Sequence, residues 1–350
     1  MNAVLEPTTV EDVIAAVHST DRLLPIGART KPRLCQAEAT LLSTRKLTGV
    51  IEYQPSEYTI TVRAGTPVAE VESALAQKGQ YLPFDPPLAA AGATIGGTVA
   101  ANLAGPGRFR YGGIRDFLIG IKLVDGRGRL LTGGGKVVKN AAGFDLPKLI
   151  VGSLGRLGIL TELTFKVFPR PASVLTCRLI FDTHEAAMAR LTELASSRGE
   201  PDALDYLPTE KSLYVRIGGP IESNASLAEE MGGDPIEADP FWPDLNHFTW
   251  APPTQPLIKV PLTPRTYLAL QSALDTSAGH TLHLTAGSAT VYIATTDHPH
   301  LQSCLRDQNL RGLVLRGETE SLWLGSQPDR AIDQALNQVF DPHQKFPDAT

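Results

Sequence analysis

A chain of 350 residues, 42% hydrophobic and 20% charged, has the composition of a soluble globular protein long enough to build two cores. A formal charge of −5 without a basic run, and only 6% aromatic residues, exclude a nucleic-acid footprint and a base-stacking platform. Cys35, Cys177 and Cys304 lie far apart with no CxxC pair, which excludes a disulfide framework, a thiolate zinc site and an iron–sulfur cluster and suits a reducing cytoplasm.

The N-terminal MNAVLEPTTVEDVIAAVHST lacks the basic start and apolar core of a signal peptide, and no apolar run reaches the ~18 residues of a membrane span. Thr9 to Ser19 is predicted to be a helix capped by Thr9, with Glu11 and Asp12 at its positive end and Val10, Val13, Ile14 and Val17 on one face. Arg22 to Ile26 is a short strand entering the loop GARTKPRL. LLST and the alternation of Tyr58, Ile60 and Val62 against Thr59, Thr61 and Arg63 supply further strands. Thr66 to Gln77 reads as a helix with Thr66 as its cap, Pro67 at the first helical position and Gly79 past its end. DFLIGIKLVDGRGRLLTGG is a hairpin turning at DGRG, with GGG at 133–135 as another turn. Asp145 to Leu154 is predicted as a short helix and Arg156 to Val167 as a strand. The two prolines of PRPAS at 169–173 mark the domain boundary. Beyond them CRLIFD, a helix capped by Thr183, and the strands in LDYLPTEKSLYVRIGG, LIKVP and HTLHLTAGSATVYIA predict an α+β domain with an antiparallel sheet.

Three glycine-dense stretches stand out: Gly96-Gly97, Gly112-Gly113 and Gly152 to Gly158. Such density marks backbone that takes unusual dihedrals or approaches something closely. Each stretch alone fits an ordinary turn. Together they fit a dinucleotide lying along the main chain, whose phosphates are met by backbone N–H groups that larger side chains would screen.

Four segments carry a family resemblance: PIGARTK at 25–31, GATIGGTVAANLAGPGRFRYGGIRD at 92–116, KVVKNAAGFDLPKLIVGSLGRLGILTEL at 136–163 and FDPHQKFP at 340–347. On these the chain resembles the flavoproteins whose FAD domain is shared by vanillyl-alcohol oxidase and p-cresol methylhydroxylase, and within them the FAD-binding subunits of bacterial glycolate oxidase. The resemblance implies an α+β protein: a PCMH-type FAD-binding domain of two α+β subdomains over residues 1–170, then a smaller α+β cap domain over 171–350 that serves substrate or partner. The C-terminal tail would return to the flavin domain.

By the same resemblance, Gly27, Ala28, Arg29, Thr30 and Lys31 form the loop that accepts the FAD pyrophosphate. Thr94, Ile95, Gly96 and Gly97 form a second loop along the phosphates and flavin, and Asn102, Arg110, Tyr111, Gly112 and Asp116 line or brace that wall. Gly155, Gly158 and the main chain of Ile159 pass against the cofactor. Ala28 stands where a glycine is usual, and at positive φ it would cost roughly 1 kcal/mol. The first loop contains no histidine, so noncovalent FAD is expected. Lys139 and Asn140 fit a cofactor contact and a solvated strand end equally, and Arg110 and Arg115 also fit ordinary surface arginines.

A 2-hydroxy-acid dehydrogenase needs a base and a cation or metal for the carboxylate. No His-rich metal motif is present: His280 and His283 point to opposite faces of a strand, and His298 and His300 sit in a proline turn. Arg216 fits a carboxylate anchor, but fits the polar position of an alternating strand better. The catalytic residues are therefore not identified, no metal site is expected, and the chain alone is expected to oxidise glycolate negligibly. The reading this supports is a subunit of a glycolate-oxidase-like complex, cytoplasmic, with any membrane association coming through partners. A larger homologous FAD-binding subunit would hold the glycolate site and a separate iron–sulfur subunit would carry electrons onward. Two alternatives stay open: a stand-alone FAD-dependent, D-lactate-like dehydrogenase, and a structural subunit with a decayed flavin site.

Overall fold

The computed structural model describes residues 4–135, 145–236, 240–274, 279–327 and 331–348. Lys139, Asn140 and the rest of 136–144 lie outside the described residues. The chain forms two compact units, one made of Met1–Ala104, Gly113–Arg170 and Pro328–Ala349, the other of Gly105–Gly112 and Pro171–Gln327.

The first unit holds two larger sheets. Val4–Leu5, Thr40–Ser43 and Leu23–Ile26 pair in parallel, with Thr40–Ser43 central. The helix Val10–Ser19 connects the first of these strands to Leu23–Ile26 and starts at a full capping box, in which Thr9 accepts from the Asp12 amide and Asp12 accepts from the Thr9 amide. Val13 and Val17 bury against Leu23, Leu42, Leu47, Val124, Ile159 and Phe346. The second sheet is antiparallel, in the order Val50–Gln54, Thr59–Arg63, Ile159–Lys166, Leu118–Val124, Leu130–Gly134.

Several elements differ locally from the sequence expectation. The helix after Thr66 spans Val68–Ala76, and its cap is Pro67, which offers no side-chain bond. The Thr66 hydroxyl instead donates to the Arg63 carbonyl at 2.7 Å and accepts from the Gly49 amide at 3.0 Å, because the strand before it turns there. Gly133 and Gly134 are not a hairpin turn but the paired end of a strand, opposite Ile121 and Gly120. The short helix after Asp145 covers only Leu146–Ile150, with the Asp145 carboxylate capping the Lys148 amide at 3.2 Å. His298 and His300 begin a helix, His298–Asp307, and His300 is half-buried against the Ala273 carbonyl at 3.3 Å.

The C-terminal segment fastens the first unit. The buried Asp341 carboxylate accepts from the amides of Lys345 at 2.8 Å and Phe346 at 2.7 Å. The Lys345 carbonyl accepts from Leu23 N, its ammonium donates to the Thr20 carbonyl, and Arg156 donates to the Pro347 carbonyl. Phe346 fills the core beside Leu23. The tail thus holds the start of the strand that carries the Gly27–Lys31 loop.

Glu72, largely buried on the helix Val68–Ala76, is raised to about 7, first by burial and then by Asp85, with Arg170 opposing. The folded form therefore holds this proton more tightly than the unfolded chain, so stability falls as pH rises from the ordinary glutamate range to about 7. Glu72→Gln is expected to leave stability unchanged at acid pH and to raise it by roughly 2 kcal/mol at pH 8, read by urea titration at both pH values.

The second unit is built on nine antiparallel strands among the described residues, with Ala203–Leu207, His280–Thr285, Thr290–Thr295 and Leu257–Pro261 at its centre. One face packs Leu204, Leu284, Val291, Ile293, Ile258 and Val260 against the helices His184–Ala195, Pro264–Leu274 and His298–Asp307. Among the described residues no helix is long and apolar enough to cross a membrane.

Candidate functional site

A cavity opens in the first unit where the three glycine-bearing segments converge. Gly27, Ala28, Arg29, Thr30 and Lys31 line one side, Thr94, Gly96 and Gly97 a second, and Gly155 and Gly158 a third.

The first loop leaves the strand Leu23–Ile26, whose last carbonyl accepts from the Thr44 hydroxyl at 3.3 Å. Its left-handed residue is Arg29, at φ 57°, and Ala28 is not in that region. The backbone strain expected at Ala28 thus falls one residue later, because the loop turns there. Among the described residues the amides of Ala28, Arg29 and Thr30 find no hydrogen-bond partner within the protein, and all three residues face the cavity. Lys31 is 8% exposed, and its ammonium donates to the Thr30 hydroxyl at 3.1 Å. Burial holds it down to about 8, against an upward pull from Cys35, and among the described residues no carboxylate pairs with it. A buried cation without an anion, next to three amides without acceptors, is the donor set that a phosphate satisfies.

The second segment is not a loop. Ile95–Ala101 is a helix capped by Thr94, whose hydroxyl accepts from Gly97 N at 3.3 Å. Ile95 N donates to the Thr66 carbonyl at 2.9 Å and Gly96 N to the Ala64 carbonyl at 2.8 Å. These amides are satisfied inside the protein, so this segment contributes shape rather than donors. A Cβ on Gly96 would stand 2.7 Å from the Ala64 carbonyl oxygen, a close approach of helix to strand. A Cβ on Gly97 would stand 3.0 Å from the Thr94 hydroxyl and 3.9 Å from the Lys31 ammonium, in the cavity itself. Gly27 joins the two segments: its Cβ would lie 2.2 Å from the Thr94 hydroxyl.

The third segment is tied to that helix through Gly152 N to the Val99 carbonyl and Leu154 N to the Ala100 carbonyl. Gly155 takes φ 75° against Pro25, and Gly158 takes φ 150° against Leu123 and Val124.

Seven of the residues singled out in the sequence lie outside the cavity wall. Ile95 and Ile159 are fully buried in the packing behind it. Asn102 ends the helix Ile95–Ala101 in a left-handed conformation at φ 49° and underlies Gly152. Asp116 accepts from Gly113 N at 2.8 Å, capping the short helix Ile114–Phe117. Arg110, Tyr111 and Gly112 belong to the second unit, where Asp202 accepts from Arg110 at 2.8 Å and from the Tyr111 hydroxyl at 3.0 Å. Gly112 closes that turn at φ 90°. Leu34, Cys35, Thr44, Ala64, Ala100 and Leu160 line the cavity without a signal in the sequence, being small or apolar residues that tertiary folding brings there. Among the described residues no group of three or more His, Cys, Asp or Glu is placed to hold a metal.

The FAD binding domain family matches residues 1–134. The chain is 38% identical over 240 residues to the glycolate oxidase subunit GlcE of Escherichia coli (strain K12), covering 67% of each chain. It is 30% identical over 251 residues to the glycolate oxidase subunit GlcD of Bacillus subtilis (strain 168), covering 68% of this chain but only 53% of that one. A D-lactate dehydrogenase of Archaeoglobus fulgidus is 29% identical over 234 residues, of which it is matched over 51% of its length. In solved structures, an alkyldihydroxyacetonephosphate synthase covers 98% of this chain at a TM-score of 0.71 and 17% identity, which shows a shared fold.

Proposed function

This chain belongs to the FAD-binding flavoprotein family of the glycolate oxidase subunits, and on that premise we propose that it is the FAD-holding subunit of a complex that oxidises a small 2-hydroxy acid such as glycolate. FAD is its cofactor, and when bound it supplies a two-electron acceptor. The observation that carries the reading is the first loop: Lys31 and the amides of Ala28, Arg29 and Thr30 together suit a pyrophosphate. Lys31 would balance its charge, and Gly27 and Gly97 would leave it room. This donor set favours a working flavin site over a decayed one.

The partner we propose is a larger homologous FAD-binding subunit, supported by the similarity to both GlcE and GlcD, with an iron–sulfur subunit taking electrons onward. The assembly would be cytoplasmic, with the first unit as the FAD-binding domain and the second meeting substrate or partner. The D-lactate dehydrogenase similarity supports a second reading, a stand-alone dehydrogenase. Purification from the native host with and without co-eluting subunits, followed by glycolate and D-lactate assays, separates the two. The purified chain is expected to be yellow, and acid precipitation is expected to release the flavin into the supernatant. Flavin retained on the denatured polypeptide would show a covalent link instead.

A further inference from the structure

The second unit's sheet packs one face into its core, and the other face carries a row of polar side chains. Lys259 pairs with Tyr292, and Tyr292 with His283, on neighbouring strands, so the three stand side by side. Asp205, fully buried, accepts from His283 Nε2 at 2.8 Å, from the Thr285 hydroxyl at 3.0 Å and from Ala286 N at 3.2 Å. In the tautomer that donates Nε2–H to this carboxylate, Nδ1 is an acceptor. That Nδ1 is buried with no hydrogen-bond partner, and so is the indole N–H of Trp250, whose ring meets His283 edge-on with centroids 5.7 Å apart. Two buried, unmatched polar atoms on touching rings require an explanation beyond packing.

Beside them stand the Asp205 carboxylate and two cations, Lys259 and Arg108. Lys259 is 8% exposed, held down to about 7 first by burial and then by the positive charge of Arg108. Arg108 also acts on Tyr292, and among the described residues its guanidinium makes no ion pair. An anion set between the two cations relieves their repulsion.

We propose that this row is a binding site for a small 2-hydroxycarboxylate, its carboxylate held by Lys259 and Arg108 and its hydroxyl donating to His283 Nδ1. The substrate class rests on the function proposed above; the site rests on the unmatched donor and acceptor beside paired cations. It supplies within this chain the base and the carboxylate anchor that motif reading did not find, and it leaves the onward passage of electrons to partner subunits.

Titration calorimetry of the full flavin-containing chain tests it with glycolate, with acetate, which lacks the hydroxyl, and with glycolamide, which lacks the charge. Glycolate is expected to bind in the millimolar range or tighter, and acetate and glycolamide about tenfold or more weakly. Lys259→Met replaces a buried ammonium by an apolar chain of similar length, so it is expected to fold and to lose glycolate binding. His283→Phe is expected to erase the preference for glycolate over acetate, which loss of packing alone would not do. No glycolate heat up to ~10 mM, or unchanged binding in folded Lys259→Met and Arg108→Met, overturns the site. Flavin absorbance of the same samples reports on the flavin reading separately, so a colourless protein and a yellow protein that ignores glycolate are different failures.

Discussion

Gly27→Ala is expected to leave a folded protein without flavin. The added Cβ would stand 2.2 Å from the Thr94 hydroxyl, so either the first loop or the cap of the helix Ile95–Ala101 must move. Forced packing of this kind costs roughly 1–3 kcal/mol, and here the displaced atoms are the ones that shape the cavity. The clash also names its own remedy. Thr94→Ala removes the hydroxyl and the methyl, leaving only Cβ, which would lie 3.4 Å from the new atom. That single change forfeits a helix cap worth about 1 kcal/mol, yet in combination with Gly27→Ala it is expected to restore much of the flavin content. Flavin-to-protein absorbance ratios of the wild type, both single variants and the double variant read the cycle. Equal flavin in Gly27→Ala and wild type would show that the two segments do not meet at the cofactor.

Lys31→Met is expected to move stability and flavin affinity in opposite directions. With the ammonium held down to about 8 by burial, the folded protein without flavin keeps a charge it does not solvate well, at a cost on the order of 2–3 kcal/mol at neutral pH. Below about 8 the lysine is protonated in both folded and unfolded chains, so that cost is constant there. Between about 8 and the ordinary lysine value of 10.5 the unfolded chain binds more protons than the folded one, and stability rises with pH. Flavin-free Lys31→Met should therefore unfold at higher urea than wild type at pH 7, with the gap closing as pH rises above about 8. Its affinity for FAD should fall by roughly a hundredfold or more, since a buried pyrophosphate loses its counter-charge. A variant with unchanged FAD affinity would remove Lys31 from the site.

The parts of the protein that were legible in the sequence are those whose cause is local. The capping box at Thr9 and Asp12, the face of Val13 and Val17, and the Asp145 cap each depend on residues within one turn. The glycine stretches were legible because positive φ and close approach leave only glycine at positions such as Gly155 and Gly158. Local signals also misled where a distant partner prevailed. Thr66 has the look of a cap, but its hydroxyl bonds to Arg63 and Gly49, and the helix amide at Val68 bonds to the Ala93 carbonyl. Gly96 has the look of a phosphate turn, but its amide is held by Ala64, and the missing Cβ makes room for that strand.

The family and the FAD cofactor were legible through a resemblance carried by short motifs, and the α+β fold class through hydrophobic period, because both are properties of short stretches. Tertiary structure alone decided which charges are buried. It placed Lys31 in a cavity wall beside amides with no acceptor, gave Asp341 the task of fixing the tail under Leu23, and set His283 against Asp205 across 78 positions of chain. The desolvation that gives each of these groups its chemistry arises from neighbours remote in sequence, so no window of the sequence contains it.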